Sequence, residues 1–183
     1  MREPLPGVLA AGAVGGAFVL ALVAFVGLIG RDAGVLVPLW SFLPVADLDL
    51  SLGFAVDTLS LTFVLVITGV GFLIHVYSIG YMHGDDGFAR YFALLNLFVA
   101  SMLVLVLADS LVLLFVGWEG VGVCSYLLIG FWYRQRANAD AGRKAFIVNR
   151  VGDAGFLLAS FLVAATFGTL SLAEVNAAAG TYA

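Results

Sequence analysis

The chain is poor in the residues that most soluble chemistry requires. Its one cysteine, Cys124, excludes an intrachain disulfide and a cysteine metal cluster, and reads as a small apolar packing residue. Charged side chains make up 11% of the 183 residues, against about 25% in an average soluble domain. No basic stripe is present, which argues against nucleic acid as a partner. The net charge of -4 comes from carboxylates in loops. A nucleotide fold, an iron–sulfur cysteine set and a haem-ligand pattern are all missing, so redox chemistry has no seat in this sequence.

What the chain has instead is apolar length. It is 63% hydrophobic, with a mean hydropathy of +1.12. Five runs are long enough to cross a bilayer, at 8–29, 56–81, 91–107, 110–133 and 144–167. The third is short, and tilt or neighbouring helices would accommodate it. The first exceeds the roughly 7–15 residues of a signal-peptide core, so it reads as a spanning helix. The expected fold class is an all-α integral membrane protein of about five transmembrane helices in a single membrane domain. Between the first two runs, Pro38, Pro44, Asp47 and Asp49 mark an extended loop or a short interfacial hairpin. Asp109-Ser110 reads as a tight turn that makes the third and fourth helices antiparallel neighbours.

Five spans put the N-terminus, the 82–90 loop and the 134–143 loop on one side. That side holds Arg2, Arg90, Arg134, Arg136 and Arg143, with Lys144 at its edge; the other holds only Arg31. The positive-inside rule therefore places the N-terminus in the cytoplasm or its organellar equivalent. The tail at 168–183 turns polar and stops, and the bundle reads as incomplete, a fragment or a split subunit.

One residue conflicts with the oily setting. Glu119 lies in SLVLLFVGWEGVGVCSYLLIGFWY, where no other charge falls between Asp109 and Arg134. A charge at that depth costs at least about 2.5 kcal/mol. No partner stands three or four positions away on its own helix, so Glu119 reads as a titrating group on an ion or proton pathway. Burial favours the neutral acid and a cation on another helix favours the ionised one, and that opposition is what a switchable site requires. Gly117, Gly120 and Gly122 would admit a neighbouring helix closely and leave room for water beside the acid. Gly120-Val-Gly122 follows an apolar helix rather than a strand, so it is no dinucleotide loop.

The fifth run carries Arg143, Lys144, Asn149, Arg150 and Asp153. At about 100° per residue, Arg143, Arg150 and Asp153 share a face, and Arg150 and Asp153 are spaced to pair. That pair reads either as a structural lock or as an electrostatic bias on Glu119, which should lie level with Asp153. Lys144 is shallower and placed to snorkel. Asp57 suits a helix N-cap, with a proton exit as the alternative. His75, near the cytoplasmic end of its helix, reads as a proton relay or as a satisfied structural histidine. Asn96 and Ser101 read as interhelical hydrogen-bonding groups.

The strings VDTLSLTFVLVITGVGFLIHVYSIGYMHGDDGFARYFALLNLFVASMLVLVLADSLVLLFVGWEGVGVCSYLLIGFWY and KAFIVNRVGDAGF closely resemble one family. It is the large antiporter-like membrane subunit of proton-pumping NADH:quinone oxidoreductase (complex I), subunit L in bacteria and subunit 5 in mitochondria. The likeness runs from about 52 to 167. It implies an antiporter-like bundle in which Glu119 is the key glutamate and Lys144, Arg150 and Asp153 are the charged positions of the next helix. It implies that protons move along a hydrated axis as that glutamate pairs with a lysine on a later, broken helix, beyond the end of this chain. It also implies no cofactor here, with NADH, FMN, iron–sulfur clusters and quinone held by partner subunits. The partners implied are other complex I membrane subunits, above all the neighbouring antiporter-like one, and the lipid bilayer. Multi-subunit cation/proton antiporters share the fold and the glutamate and form the alternative, from which NRVGD sets this chain apart.

Overall fold

The computed structural model describes residues 4–28, 34–45 and 48–180. The elements run α1 (Leu5–Leu28), β1 (Val35–Val45), β2 (Leu48–Val56), α2 (Thr58–Tyr81), α3 (Phe88–Leu107), α4 (Leu111–Ile129), α5 (Arg136–Phe167) and α6 (Leu172–Ala179). Among the described residues, five helices are long and apolar enough to cross a membrane. Each packs mainly on its sequence neighbours: α1 on α2, α2 on α3, α3 on α4 and α4 on α5, with α1 also touching α3.

Small residues set the closest approaches. Phe72 of α2 seats against Gly15 of α1, where a Cβ would stand 2.9 Å from its ring, and Phe18 of α1 seats likewise against Gly69. Without a hydrophobic drive between helices in lipid, such fits carry the association. At one end, Ala10, Met82, Phe88, Phe92 and Phe131 form a buried cluster. At the other, Leu52, Ala108 and Leu113 form a second one.

The segment before α2 is a hairpin, β1 pairing antiparallel with β2 from Val35↔Val56 to Val45↔Leu48. A two-stranded ribbon has an outward-facing edge on each strand, so Pro38 and Pro44 are tolerated in β1. The hairpin is tied to the α3–α4 turn. Gly53 N–H donates to Asp109 Oδ1 at 2.9 Å, and Asp109 N–H donates to the Gly53 carbonyl at 3.2 Å. The α5–α6 link joins the same corner, with Leu111 N–H bonded to the Leu170 carbonyl and Leu172 N–H to that of Asp109.

Several expected boundaries move, each for a physical reason. α2 begins at Thr58 because Val56 closes the hairpin; Asp57 caps the helix, accepting from Ser60 N–H at 2.7 Å in a capping box. α3 begins three residues early, at Phe88, so it is not short. Arg90 sits in its first turn because its guanidinium lies over the Phe131 and Tyr133 rings, 4.5 and 5.2 Å from their centroids. α4 stops at Ile129 rather than 133, at Gly130. α5 begins at Arg136, not 144: its polar first turns are helical outside the apolar span, where Asp140 pairs with both Arg136 and Arg143. The polar tail contains α6 instead of simply ending. The expected residues Arg2, Ile29, Arg31 and Asp47 lie outside the described residues.

Candidate functional site

α4 carries Glu119 about 12 Å along the helix from Leu111 and about 15 Å from Ile129, near mid-span. The glycines around it are close-packing points. A Cβ on Gly117 would stand 2.5 Å from the Leu105 backbone nitrogen of α3. One on Gly120 would meet Ser101 Oγ at 2.6 Å, and one on Gly122 would meet Asn149 Nδ2 of α5 at 2.6 Å. The space these glycines open is therefore filled by α3 and α5 rather than left for water. A crevice of about 260 Å³ does lie between α4 and α5, on the Ile129 side of the acid, lined by Trp118, Gly122, Ser125, Tyr126, Phe146 and Asn149 among others, but not by Glu119 itself.

Antiparallel pairing of α4 and α5 sets which side chains meet. Gly130 lies against Gly142, Tyr126 against Phe146, Trp118 against Asp153, and Phe115 stacks on Phe156. That register puts Glu119 and Asp153 at one level and Arg150 within reach of both. Arg150 donates to both carboxylate oxygens of Glu119. Its Nη1 also lies 3.2 Å from Asp153 Oδ2, and its guanidinium sits over the Phe146 ring. Asp153 is buried at 3% exposure and accepts a 2.7 Å hydrogen bond from Trp118 Nε1. The Glu119 side chain is 23% exposed. One guanidinium nitrogen, Nη1, makes every contact of Arg150 with the two carboxylates, so the charge-assisted hydrogen bonds go to Glu119 and join two helices, while Asp153 Oδ2 has no hydrogen-bond partner among the described residues.

Glu119 is expected from the sequence to have no partner on its own helix, with a cation on another helix acting on it. It has none on its own helix, and Arg150 reaches it from the next. The other candidates are scattered. Arg143 turns aside to Asp140. Lys144 is exposed on α5, about 9 Å along the axis from Arg150, and forms no ion pair among the described residues. His75 is fully buried on α2; its Nδ1 lies 2.7 Å from the Gly71 carbonyl, and its Nε2 has no partner among the described residues. It packs near Phe92 of α3, so α3 stands between it and the cluster. Asn96 donates to the Phe92 carbonyl of its own helix, whereas Ser101 donates to the Leu97 carbonyl of its own helix and also hydrogen-bonds the Cys124 side chain of α4, across the interface. Among the described residues, no set of three His, Cys, Asp or Glu side chains could hold a metal.

Sequence reasoning missed Trp118 and Phe146. Trp118 was legible as the immediate neighbour of Glu119, but its bond to Asp153 depends on the interhelical register.

Residues 40–92 match the family described as NADH-Ubiquinone oxidoreductase (complex I), chain 5 N-terminus. Residues 108–182 match NADH:quinone oxidoreductase/Mrp antiporter, TM, and the two matches together cover well over half of the chain. Over 153 residues the chain is 53% identical to the NADH-quinone oxidoreductase subunit L of Mycobacterium tuberculosis (strain ATCC 25618 / H37Rv), which is 82% of this chain and 24% of that protein. The chain belongs to the antiporter-like subunit L family of complex I. It is 52% identical over 138 residues to subunit L of Escherichia coli (strain K12), covering 75% of this chain and 22% of that protein. The chain thus spans about a quarter of the length of these complex I relatives. Among solved structures, the Mrp complex from Dietzia sp. DQ12-45-1b superposes with a TM-score of 0.77 at 30% identity, over 92% of this chain and 18% of that one. An archaeal membrane-bound sulfane sulfur reductase gives a TM-score of 0.81 at 19% identity, over 95% and 34%, a likeness of fold alone.

Proposed function

We propose that this chain forms part of a proton-translocating membrane subunit of NADH:quinone oxidoreductase, in which Glu119 takes up and releases a proton as its pairing with Arg150 changes. The observation that supports it most is the Glu119–Arg150–Asp153 cluster at mid-span, in helices with no other charge at that depth. Two unit charges about 4 Å apart interact by roughly 4 kcal/mol at an effective dielectric near 20, equivalent to about three pH units. Shifting one guanidinium toward or away from Glu119 is therefore enough to move a proton on or off it. Asp153 holds Arg150 within reach throughout. The crevice lined by Ser125 and Asn149 would bring water as far as Trp118, the neighbour of the acid. Lys144 stands on the Arg136 side of the bundle and would draw protons in; His75 would serve a separate path between α1, α2 and α3.

NADH, FMN, iron–sulfur clusters and quinone would sit in partner subunits, and the neighbouring antiporter-like subunit would pass the electrostatic signal. The end of the bundle that carries Arg90, Arg134, Arg136 and Arg143 would face the cytoplasm. The test uses the full-length subunit in the assembled complex, reconstituted in vesicles. Glu119→Gln should lower proton movement per electron about tenfold or more, given the size of the pair interaction. Undiminished pumping would refute the assignment.

A second reading, a subunit of a cation/proton antiporter, is favoured by the 30% identity to the Mrp complex over most of the chain. Sodium-dependent proton exchange without coupling to NADH oxidation would select it.

A further inference from the structure

We infer that a cleft at the arginine-rich end of the bundle binds one anionic phospholipid, its phosphate held by Arg90 and Arg143 between α3, α4 and α5. The cleft measures about 290 Å³, and none of Glu119, Arg150 and Asp153 lines it, so the inference is independent of the proton-translocating reading. Two arginines line it and no carboxylate does. Arg90 stands in the first turn of α3. Its Nη2 donates to the Phe131 carbonyl at 3.0 Å, and its guanidinium lies over the Phe131 and Tyr133 rings. That seating uses part of the donor fork and orders the remainder, so a phosphate meets N–H groups already in place. Arg143 reaches the cleft from α5. Its Nη2 pairs with Asp140, and among the described residues its other N–H groups have no hydrogen-bond partner. The acids near these arginines are already engaged: Asp140 is shared by Arg136 and Arg143, and Asp85 accepts from Trp132 and Gly87. Across 82–90 and 130–144, five cations (Arg90, Arg134, Arg136, Arg143, Lys144) face three carboxylates (Asp85, Asp86, Asp140), which leaves the end net positive.

The rest of the cleft is apolar, and that selects a lipid over a soluble anion. Leu94, one turn on from Arg90 along α3, stands about 6 Å deeper in the bundle. Leu127 lines the cleft from the last turn of α4. Leu127 is 37% exposed and Tyr126 36%, so this wall is open rather than sealed. A free phosphate would leave those carbons against water, whereas a phosphate carrying acyl chains covers them. Tyr81, Tyr126, Trp132 and Tyr133, all at this end, are each more than a third exposed. Such amphipathic rings collect at the headgroup level of a bilayer. The cleft therefore straddles that boundary, guanidinium outward and hydrocarbon inward, the form in which basic pockets between spanning helices hold anionic headgroups. A zwitterionic lipid brings a cation of its own, which the arginines repel, so the site selects net negative charge.

The test is photo-crosslinking of the full-length subunit in the assembled complex, reconstituted in phosphatidylcholine bilayers. A trace of phosphatidylglycerol or of phosphatidylcholine, each with a photoreactive acyl chain, serves as the probe, and the labelled peptides are mapped. The glycerol probe should label peptides around Leu94 and Leu127 several-fold more than the choline probe does. Combining Arg90→Gln with Arg143→Gln should lower glycerol-probe labelling there by about tenfold or more and leave choline-probe labelling unchanged. Equal labelling by the two probes marks ordinary surrounding lipid and overturns the inference. Glycerol-probe labelling that survives the double variant overturns it too. Millimolar inorganic phosphate should leave the labelling intact; displacement by it would make the occupant a free anion and overturn the lipid assignment. Where the double variant does not assemble, Leu127→Trp fills the cleft from an exposed position and leaves both arginines. A fall of glycerol-probe labelling to the choline level then supports the site, and undiminished labelling overturns it.

Discussion

Glu119 and Asp85 show how differently this chain treats its acids. Glu119 is held by a guanidinium from another helix inside an apolar span. Asp85 sits in the 82–87 turn, outside the spans, and its carboxyl is held below the usual carboxylate range. The Trp132 indole N–H contributes most, then the Gly87 backbone N–H, with slight burial opposing and Arg90 adding to the lowering. The bonds are 2.8 Å from Trp132 and 2.7 Å from Gly87. A group held low in the folded state contributes stability above its unfolded value, near 4, and loses it as pH falls through the lower folded value. Acidification below about pH 4 should therefore lower the protection of the Gly87 amide, measured against its intrinsic exchange rate at each pH. Asp85→Asn should flatten that dependence, and an unchanged exchange profile in the variant would show that another group governs the turn.

At the scale of elements, the apolar periods located all five spans, while the ends of those spans followed chemistry that hydropathy does not register. α5 extends eight residues before the expected 144 because Arg136, Asp140 and Arg143 sustain a polar helix beyond the membrane. α3 absorbs Arg90 because two aromatic rings on the next turn receive it. The candidate site was half legible for the same reason. Arg150 and Asp153 are three apart and visible as a pair on one helix, whereas the Glu119–Arg150 and Trp118–Asp153 contacts join residues 31 and 35 positions apart. The glycine-rich stretch did signal close packing, and that can be measured. Gly117→Ala places a Cβ 2.5 Å from backbone of α3, which cannot move as a side chain can. Forcing α3 and α4 apart should cost about 1–3 kcal/mol. Gly16→Ala meets nothing within 4 Å and should be neutral or stabilising by up to about 1 kcal/mol. Equal thermal stability of the two variants in detergent would show that the α3–α4 contact is not so tight.

The whole molecule is a row of antiparallel helices with unlike ends. One end gathers the hairpin, the α3–α4 turn and the α5–α6 link into a single hydrogen-bonded corner. The other carries Arg90, Arg134, Arg136, Arg143 and Lys144. Cys124 is fully buried, so a membrane-impermeant maleimide has a quiet background. In right-side-out vesicles Asn176→Cys should label from outside and Ala137→Cys should not; the reverse pattern would invert the orientation and with it the direction of proton entry. Both ends matter only if the acid between them works. The most direct measurement is the number of protons moved per electron by the reconstituted complex carrying Glu119→Gln, with electron transfer recorded in the same vesicles. A steep fall in that ratio is the result expected of a carboxyl group that exchanges its proton in each cycle. A ratio equal to wild type would contradict it and leave Glu119 as a structural partner of Arg150.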